Sequence, residues 1–237
     1  MREVVRSRAL LADGRFFSLW LSQGLSQTAQ NALLFSLLVV VLGITGSSIA
    51  TSLLVLSFIL PSIPLGFVVG VLLDRVDKRP VLVITNLIRA GACVVLFFLH
   101  GNEWSIYAIS LGIASASLFF TPAVVALIPS MIPRERLVQA NSFYNFTLTA
   151  SQLLGMVFIA PTILKTAGPD GVFVTTAAMF VIAAVLAARV SIADRSQVMK
   201  LTQGTFGSIP TEFRESWRAL TSDKYSVLAL SQLIISS

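Results

Sequence analysis

The sequence predicts an all-α integral membrane protein, and three observations carry that prediction. Of its 237 residues, 55% are hydrophobic and only 12% charged. Soluble domains carry roughly 25% charged residues, so a water-soluble fold of this length would lack polar surface. Six apolar segments, at about 16–42, 47–73, 80–99, 104–128, 140–164 and 171–190, each reach the length a helix needs to cross lipid. That length is ~20 residues for a hydrocarbon core of ~30 Å. Nearly all of the 17 Lys and Arg residues stand in short clusters between or at the ends of these segments, not along one continuous face.

The first segment follows Arg2, Arg6 and Arg8, a start that resembles a secretion signal. The apolar stretch from Phe16 to Leu42 is too long for one, and no small-x-small cleavage site closes it, so it reads as a retained span. The second carries Pro61 and Pro64. Each removes a backbone donor, so a kink is expected there. Its last part, Gly66-Phe-Val-Val-Gly70, puts two small residues on one helix face, suited to close approach of a neighbouring backbone. The third holds Arg89 and Cys93. The fourth holds Ser110, Ser115, Ser117 and Thr121-Pro122, small polar residues that serve either tight packing or a wide cavity.

The connections alternate in character. Gly43–Gly46, His100–Glu103 and Lys165–Asp170 are short and nearly uncharged. The other two are Asp74-Arg75-Val76-Asp77-Lys78-Arg79 and Pro133-Arg134-Glu135-Arg136. With the N-terminus inside, fifteen Lys and Arg residues fall on the cytoplasmic side, only Lys165 falls outside, and Arg89 lies within a span. Positive loops stay inside, so the expectation is a multi-pass plasma (inner) membrane protein with a cytoplasmic N-terminus.

The expected organisation is a cytoplasmic tail over 1–15, a six-span bundle over 16–190, a cytoplasmic linker over 191–225, and the start of a seventh span over 226–237. Gly204, Gly207 and Pro210 mark the linker as non-regular. Within it Phe213, Trp217 and Leu220 fall at i, i+4, i+7. That spacing makes a short amphipathic helix, lying on the inner membrane surface or solvated as part of the linker. The twelve residues from Ser226 would reach only ~18 Å as a helix, so they read as a span cut off partway.

Several functions are excluded. The net charge of +6 comes from the loop clusters and offers no continuous basic face, so nucleic acid is not an expected partner. Cys93 is the only cysteine and reads as a small packing residue. His100 is the only histidine, at the end of a span near Gly101-Asn102, where a solvated loop residue is expected. Without a Cys/His cluster there is no structural zinc site, and no cofactor is implied. A membrane-embedded enzyme would need a polar cluster such as His with Asp or Glu, and one His argues against it.

Span two ends Gly66-Phe-Val-Val-Gly70-Val-Leu-Leu-Asp74-Arg75-Val-Asp77-Lys78-Arg79. This resembles the signature loop of the major facilitator superfamily, Gly-x-x-x-Asp-Arg-x-Gly-Arg-Arg/Lys, in the loop and on the side of the membrane where that family carries it. Asp77 stands where the pattern has Gly, and Lys78 where it has Arg. With Ile128-Pro-Ser-Met-Ile-Pro-Arg-Glu-Arg-Leu-Val-Gln-Ala-Asn141, the chain is most similar to the drug- and siderophore-exporting (enterobactin-exporter-like) branch. The resemblance implies the first half of a twelve-span transporter working by alternating access, partnered by membrane lipid, a small-molecule substrate and a second six-span half. It implies efflux of a small amphipathic compound or siderophore, and that this piece alone does not transport. A non-transporting fragment is the rival.

In such a family Gly70, Asp74, Arg75, Lys78 and Arg79 form a latch that holds the cytoplasmic side shut against the second half. Asp74 at a helix C-terminus faces the negative end of the macrodipole, so it wants a positive partner. The resemblance also places spans one and four on the central pathway, two and five beside it, and three and six outside.

Gln23, Gln27 and Asn31 in span one recur at i, i+4, i+8, next to Gln30. Asn141, Asn145, Thr149 and Gln152 do similarly in span five. Amides in hydrocarbon need a partner or water, so these stripes either line a cavity or make interhelical hydrogen bonds worth ~0.6 kcal/mol each. Ser151-Gln-Leu-Leu-Gly155-Met156 keeps the small pair of the Gly-x-x-x-Gly-Pro element of such exporters, with the proline displaced to Pro161. Arg89, some 15 Å into its span, either takes part in transport or is held by a structural partner such as Asn86 or Asp74. No Asp or Glu lies inside a complete span, so coupling resides in the second half or the mechanism is uniport.

Overall fold

The computed structural model describes residues 14–132 and 134–190. The tail before Gly14, and the expected linker with its amphipathic helix and start of a seventh span, fall outside the described residues. Among the described residues all regular structure is helical.

Helix α1, Gly14–Thr45, is span one. Its 32 residues extend ~48 Å, longer than the bilayer core is thick. Span two is two helices, α2, Ser48–Ile59, and α3, Ser62–Arg75, broken at Leu60-Pro61. Only one of its prolines makes the break. Pro61 stands at it, whereas Pro64 falls in the first turn of α3, where the missing N–H has no intrahelical partner to lose. Span three is α4, Lys78–Leu99. Span four is α5, Glu103–Met131, started by Asn102, whose Oδ1 accepts from the Trp104 amide at 3.0 Å.

A short 3₁₀ turn, Arg134–Arg136, leads into α6, Leu137–Leu153, then a π-helical turn, Leu154–Ile159, and α7, Ala160–Ala188. These last elements run as one apolar stretch of 52 residues, yet they cross twice. Gly168 inside α7 has φ 67° and ψ −170°, a backbone that in effect only glycine adopts. The reversal is demonstrated by span one. Gly155 packs against Thr28 and Ala32, while Ser22 Oγ donates to the Ala183 carbonyl at 2.7 Å. Residues 155 and 183 would stand ~42 Å apart along one straight helix, but Ser22 and Thr28 are only ~9 Å apart. The chain therefore folds back at Gly168, leaving span five before it and span six after it.

The bundle has two apolar centres. One gathers Phe16, Leu19, Leu73, Leu82, Phe120, Val124 and Ala187. The other gathers Leu33, Leu37, Leu54, Leu96, Ile113, Phe173 and Phe180. Between them lies a polar layer, with Ser22, Ser26, Asn86 and Arg89 all buried. Outward, Ile49, Ile63, Phe98, Val138 and Phe146 are largely exposed, the arrangement of a bundle whose outer solvent is lipid. Cys93 is a buried packing residue, 3.5 Å from Thr176 Oγ1. His100 is not a free loop residue. It caps α4, with Nδ1 3.2 Å from the Leu96 carbonyl and Nε2 3.7 Å from Asp170 Oδ1.

Replacing Gly168 by Ala should destabilise the protein by about 1–3 kcal/mol, because the positive-φ turn then strains. A thermal unfolding midpoint equal to wild type in detergent would contradict that. The fold-back also predicts that Asn102→Cys and Asp170→Cys, in a Cys93→Ser background, react with an impermeant maleimide from the same side of the membrane.

Candidate functional site

Successive residues of an α-helix are about 100° apart, so span one presents each of its faces to a different neighbour. Ser22, Ser26, Ala29 and Leu33 form the face toward spans three and six. Gly24 and Thr28 form the face toward span five. Ser151 Oγ donates to the Gly24 carbonyl at 3.1 Å, and Trp20 Nε1 donates to Thr147 Oγ1 at 2.6 Å. Gln30 meets span four, its Oε1 accepting from Ser117 Oγ at 3.4 Å. Gln27 and Asn31 remain between the span-four and span-five faces. Both are half-buried; Asn31 Nδ2 donates back to the Gln27 carbonyl at 2.8 Å.

Gln23 departs from that stripe. It is 2% exposed, its Nε2 has no partner among the described residues, and it packs with Val124, Ile128, Ala140 and Tyr144 of spans four and five. The cause is helical drift. Steps of four residues advance 400°, so the stripe winds about 40° per step and its first member passes under the neighbouring spans.

In span five Asn141, Asn145, Thr149 and Gln152 are all exposed. The opposite face, Ala140, Thr147, Ser151 and Gly155, is the buried one. A Cβ on Gly155 would stand 2.6 Å from the Thr28 carbonyl oxygen and 2.9 Å from both the Ala32 nitrogen and Asn31 Cβ. Glycine at 155 is therefore required by contact with the segment of span one that carries Asn31. The π turn ends at Ile159, two residues before Pro161, with the Ala160 amide bonding to the Gly155 carbonyl. Pro161 cannot donate, and the widened turn accommodates the missing bond. An apolar groove of about 410 Å³, lined among others by Leu25, Phe146 and Leu154, lies beside this contact.

The loop between spans two and three has a local logic of its own. Asp77 is the N-cap of α4, its Oδ1 accepting from the Arg79 amide at 3.1 Å. Aspartate is a preferred N-cap, which gives the departure from glycine at 77 a structural reason. It also sets a carboxylate at the positive end of a helix whose first turn carries Lys78 and Arg79. Asp74 occupies the last turn of α3 beside Arg75; its side chain is outside the described residues. Gly66 and Gly70 make no close approach. A Cβ on either meets nothing within 4 Å, so the backbone neighbour expected for them is not among the described residues.

Arg89 is 2% exposed, roughly 17 Å along α4 from Lys78. Its direct partner among the described residues is not Asn86 but Ser26. Nη1 donates to Ser26 Oγ at 2.8 Å, and Ser26 in turn donates to Asn86 Oδ1 at 2.7 Å. The guanidinium carbon lies 4.6 Å from the Phe120 ring centre and 5.6 Å from that of Phe180. Spans one, three, four and six thus converge on one cation. The residues not anticipated here are Ser22 and Ser26. Their i, i+4 spacing, on the face turned away from the amides, was the available signal.

The sequence model of the Major Facilitator Superfamily matches residues 19–237. The chain belongs to that superfamily. It is 26% identical over 133 residues to macrolide efflux protein A of Streptococcus pyogenes, a match covering 54% of this chain and 33% of that protein. It is 30% identical over 138 residues to the MFS-type transporter YkuC of Bacillus subtilis, covering 57% and 32%. Macrolide efflux protein A of Enterococcus faecalis is 29% identical over 102 residues, covering 41% and 31%. The matched segments thus span about a third of the length of these relatives. No solved structure matches the chain. Family and apolar helices together make this a multi-pass membrane protein of that superfamily.

Two glycines should behave oppositely. Gly155→Ala should cost about 1–3 kcal/mol through overpacking against span one, whereas Gly70→Ala should stay within about 0.5 kcal/mol. Unfolding midpoints of the two variants, measured side by side, check this; equal losses would contradict the contact at Gly155.

Proposed function

We propose that the protein is a secondary transporter working by alternating access, which exports a small amphipathic compound. The described six-span bundle forms one wall of the pathway. The observation that carries this reading is the match to the superfamily over residues 19–237, with relatives named for macrolide efflux. The geometry supports it. Gln27 and Asn31 present neutral hydrogen-bonding groups from the central span, and Asn145 and Gln152 lie on the face of span five turned away from it, which no described helix buries. Such an arrangement suits a bulky, largely apolar solute with hydroxyl or carbonyl groups, and for that reason we favour it over a siderophore.

The described carboxylates near the spans, at Asp77, Glu103, Glu135 and Asp170, stand at helix ends or in connections. In this reading the coupling group belongs to the partner half, and the N-terminus faces the cytoplasm of the inner membrane. Gly70, Asp74, Arg75, Lys78 and Arg79 form the latch against that second half, the exposed face of Gly66 and Gly70 being where it docks. Alternating access then consists of rocking the two halves about the site between them.

Expression of the complete gene product in a drug-sensitive host should lower accumulation of a radiolabelled macrolide. Asp74→Asn should leave its affinity within a few-fold while greatly slowing efflux. Accumulation unchanged from the empty host would refute the substrate class; affinity lost with the cycling rate intact would refute the latch.

A further inference from the structure

Arg89 is buried at mid-membrane depth, in the bundle interior and away from the half-exposed amides. A charged side chain there is costly to keep in the membrane. Among the described residues no carboxylate touches it. What it has is one hydrogen bond to Ser26, two aromatic faces, and an Nε without a hydrogen-bond partner among the described residues. A leucine or methionine would fill the space between the two apolar centres without that cost, and replacing buried ionic groups by apolar ones is often neutral or stabilising. Packing alone therefore does not account for an arginine at this position.

The geometry points to a positioning role: Arg89 fixes the rotational setting of span one and so aims Gln27 and Asn31 at the substrate pathway. This deepens the transport reading above and rests on it. The argument is one of direction. Ser26 is the neighbour of Gln27, about 100° around the helix, so a bond that holds Ser26 toward span three holds Gln27 away from it. Ser26 is gripped from two positions, Arg89 Nη1 at 2.8 Å and Asn86 Oδ1 at 2.7 Å, one turn apart on the same helix. The guanidinium is also held toward Phe120 of span four and Phe180 of span six, 4.6 Å and 5.6 Å from the ring centres, contacts that oppose its following a turning span one. The nearest neighbours of Ser26 along this face are small, Ser22 and Ala29, with Leu33 two turns on, and their packing carries no direction of its own. A directional bond to a rigid planar donor supplies what their packing lacks.

The test uses the complete gene product with Cys93→Ser. Labelling by a membrane-impermeant maleimide is compared at Gln27→Cys and at Ala29→Cys, which is fully buried. With Arg89 present, Gln27→Cys should react much faster. Arg89→Met and Ser26→Ala should each narrow that contrast by about threefold or more, while Arg89→Lys, which keeps a donor for Ser26, should preserve it. The unfolding midpoint of Arg89→Met should stay within about 4 °C of the parent. For macrolide efflux in the Arg89→Met protein, KM should rise about threefold or more with the maximal rate within about twofold.

An unchanged labelling contrast in both Arg89→Met and Ser26→Ala would overturn the proposal. Should Arg89→Met not fold, Ser26→Ala alone decides, since it removes the bond and leaves the cation between its rings. Failure of the transport reading is recognised separately: the parent then moves no macrolide, while the labelling contrast still reports whether Arg89 aims span one.

Discussion

Four spans meet at the guanidinium of Arg89, and the rest of the bundle is arranged around the problem of keeping it there. A cation in hydrocarbon must be given donors' partners and polarisable faces, or it will draw water or lipid headgroups inward. The fold supplies Ser26 from span one, Asn86 from its own helix, Phe120 from span four and Phe180 from span six. Those requirements fix which faces of four helices point inward, and the apolar centres above and below then fill accordingly. The polar layer is small, but its hydrogen bonds are directional and tie span one to spans three and six.

The breaks in the helices serve the same packing. Span two bends at Pro61, where a proline cannot continue the hydrogen-bond ladder. Span five widens into a π turn before Pro161, and that widening lets Gly155 lie against the backbone of span one. Span six exists as a separate crossing because Gly168 takes a backbone conformation closed to other residues. Each irregularity has a named residue behind it, and two of the three lie next to the central helix or determine what packs on it.

The faces left uncovered are as ordered as the buried ones. Asn145 and Gln152, the shared face of Gly66 and Gly70, and the half-exposed Gln27 and Asn31 form polar or small-residue surfaces in a bundle whose remaining exterior is strongly apolar. Lipid would not favour amides on an exposed face, so a second protein surface or an aqueous pathway is the consistent neighbour. Membership of the Major Facilitator Superfamily fits that arrangement.

Apolar length and loop charge, read from the chain alone, determined the helical membrane class and the approximate position of each span, because a bilayer imposes one strong length constraint on any helix that crosses it. The Gly-x-x-x-Asp-Arg loop carried the family. Side-chain azimuth was decided only by the tertiary structure. Gln23, Gln27 and Asn31 are equivalent in spacing, yet Gln23 is buried under spans four and five because a straight helix drifts away from any four-residue repeat. Likewise Asp77, a departure from the family pattern when read as text, is an N-cap once α4 is seen to begin after it. The partner of Arg89 was the least legible of all. Ser26 lies 63 residues away in the chain, and only the packing of span one on span three, which no local pattern encodes, brings its hydroxyl to the guanidinium.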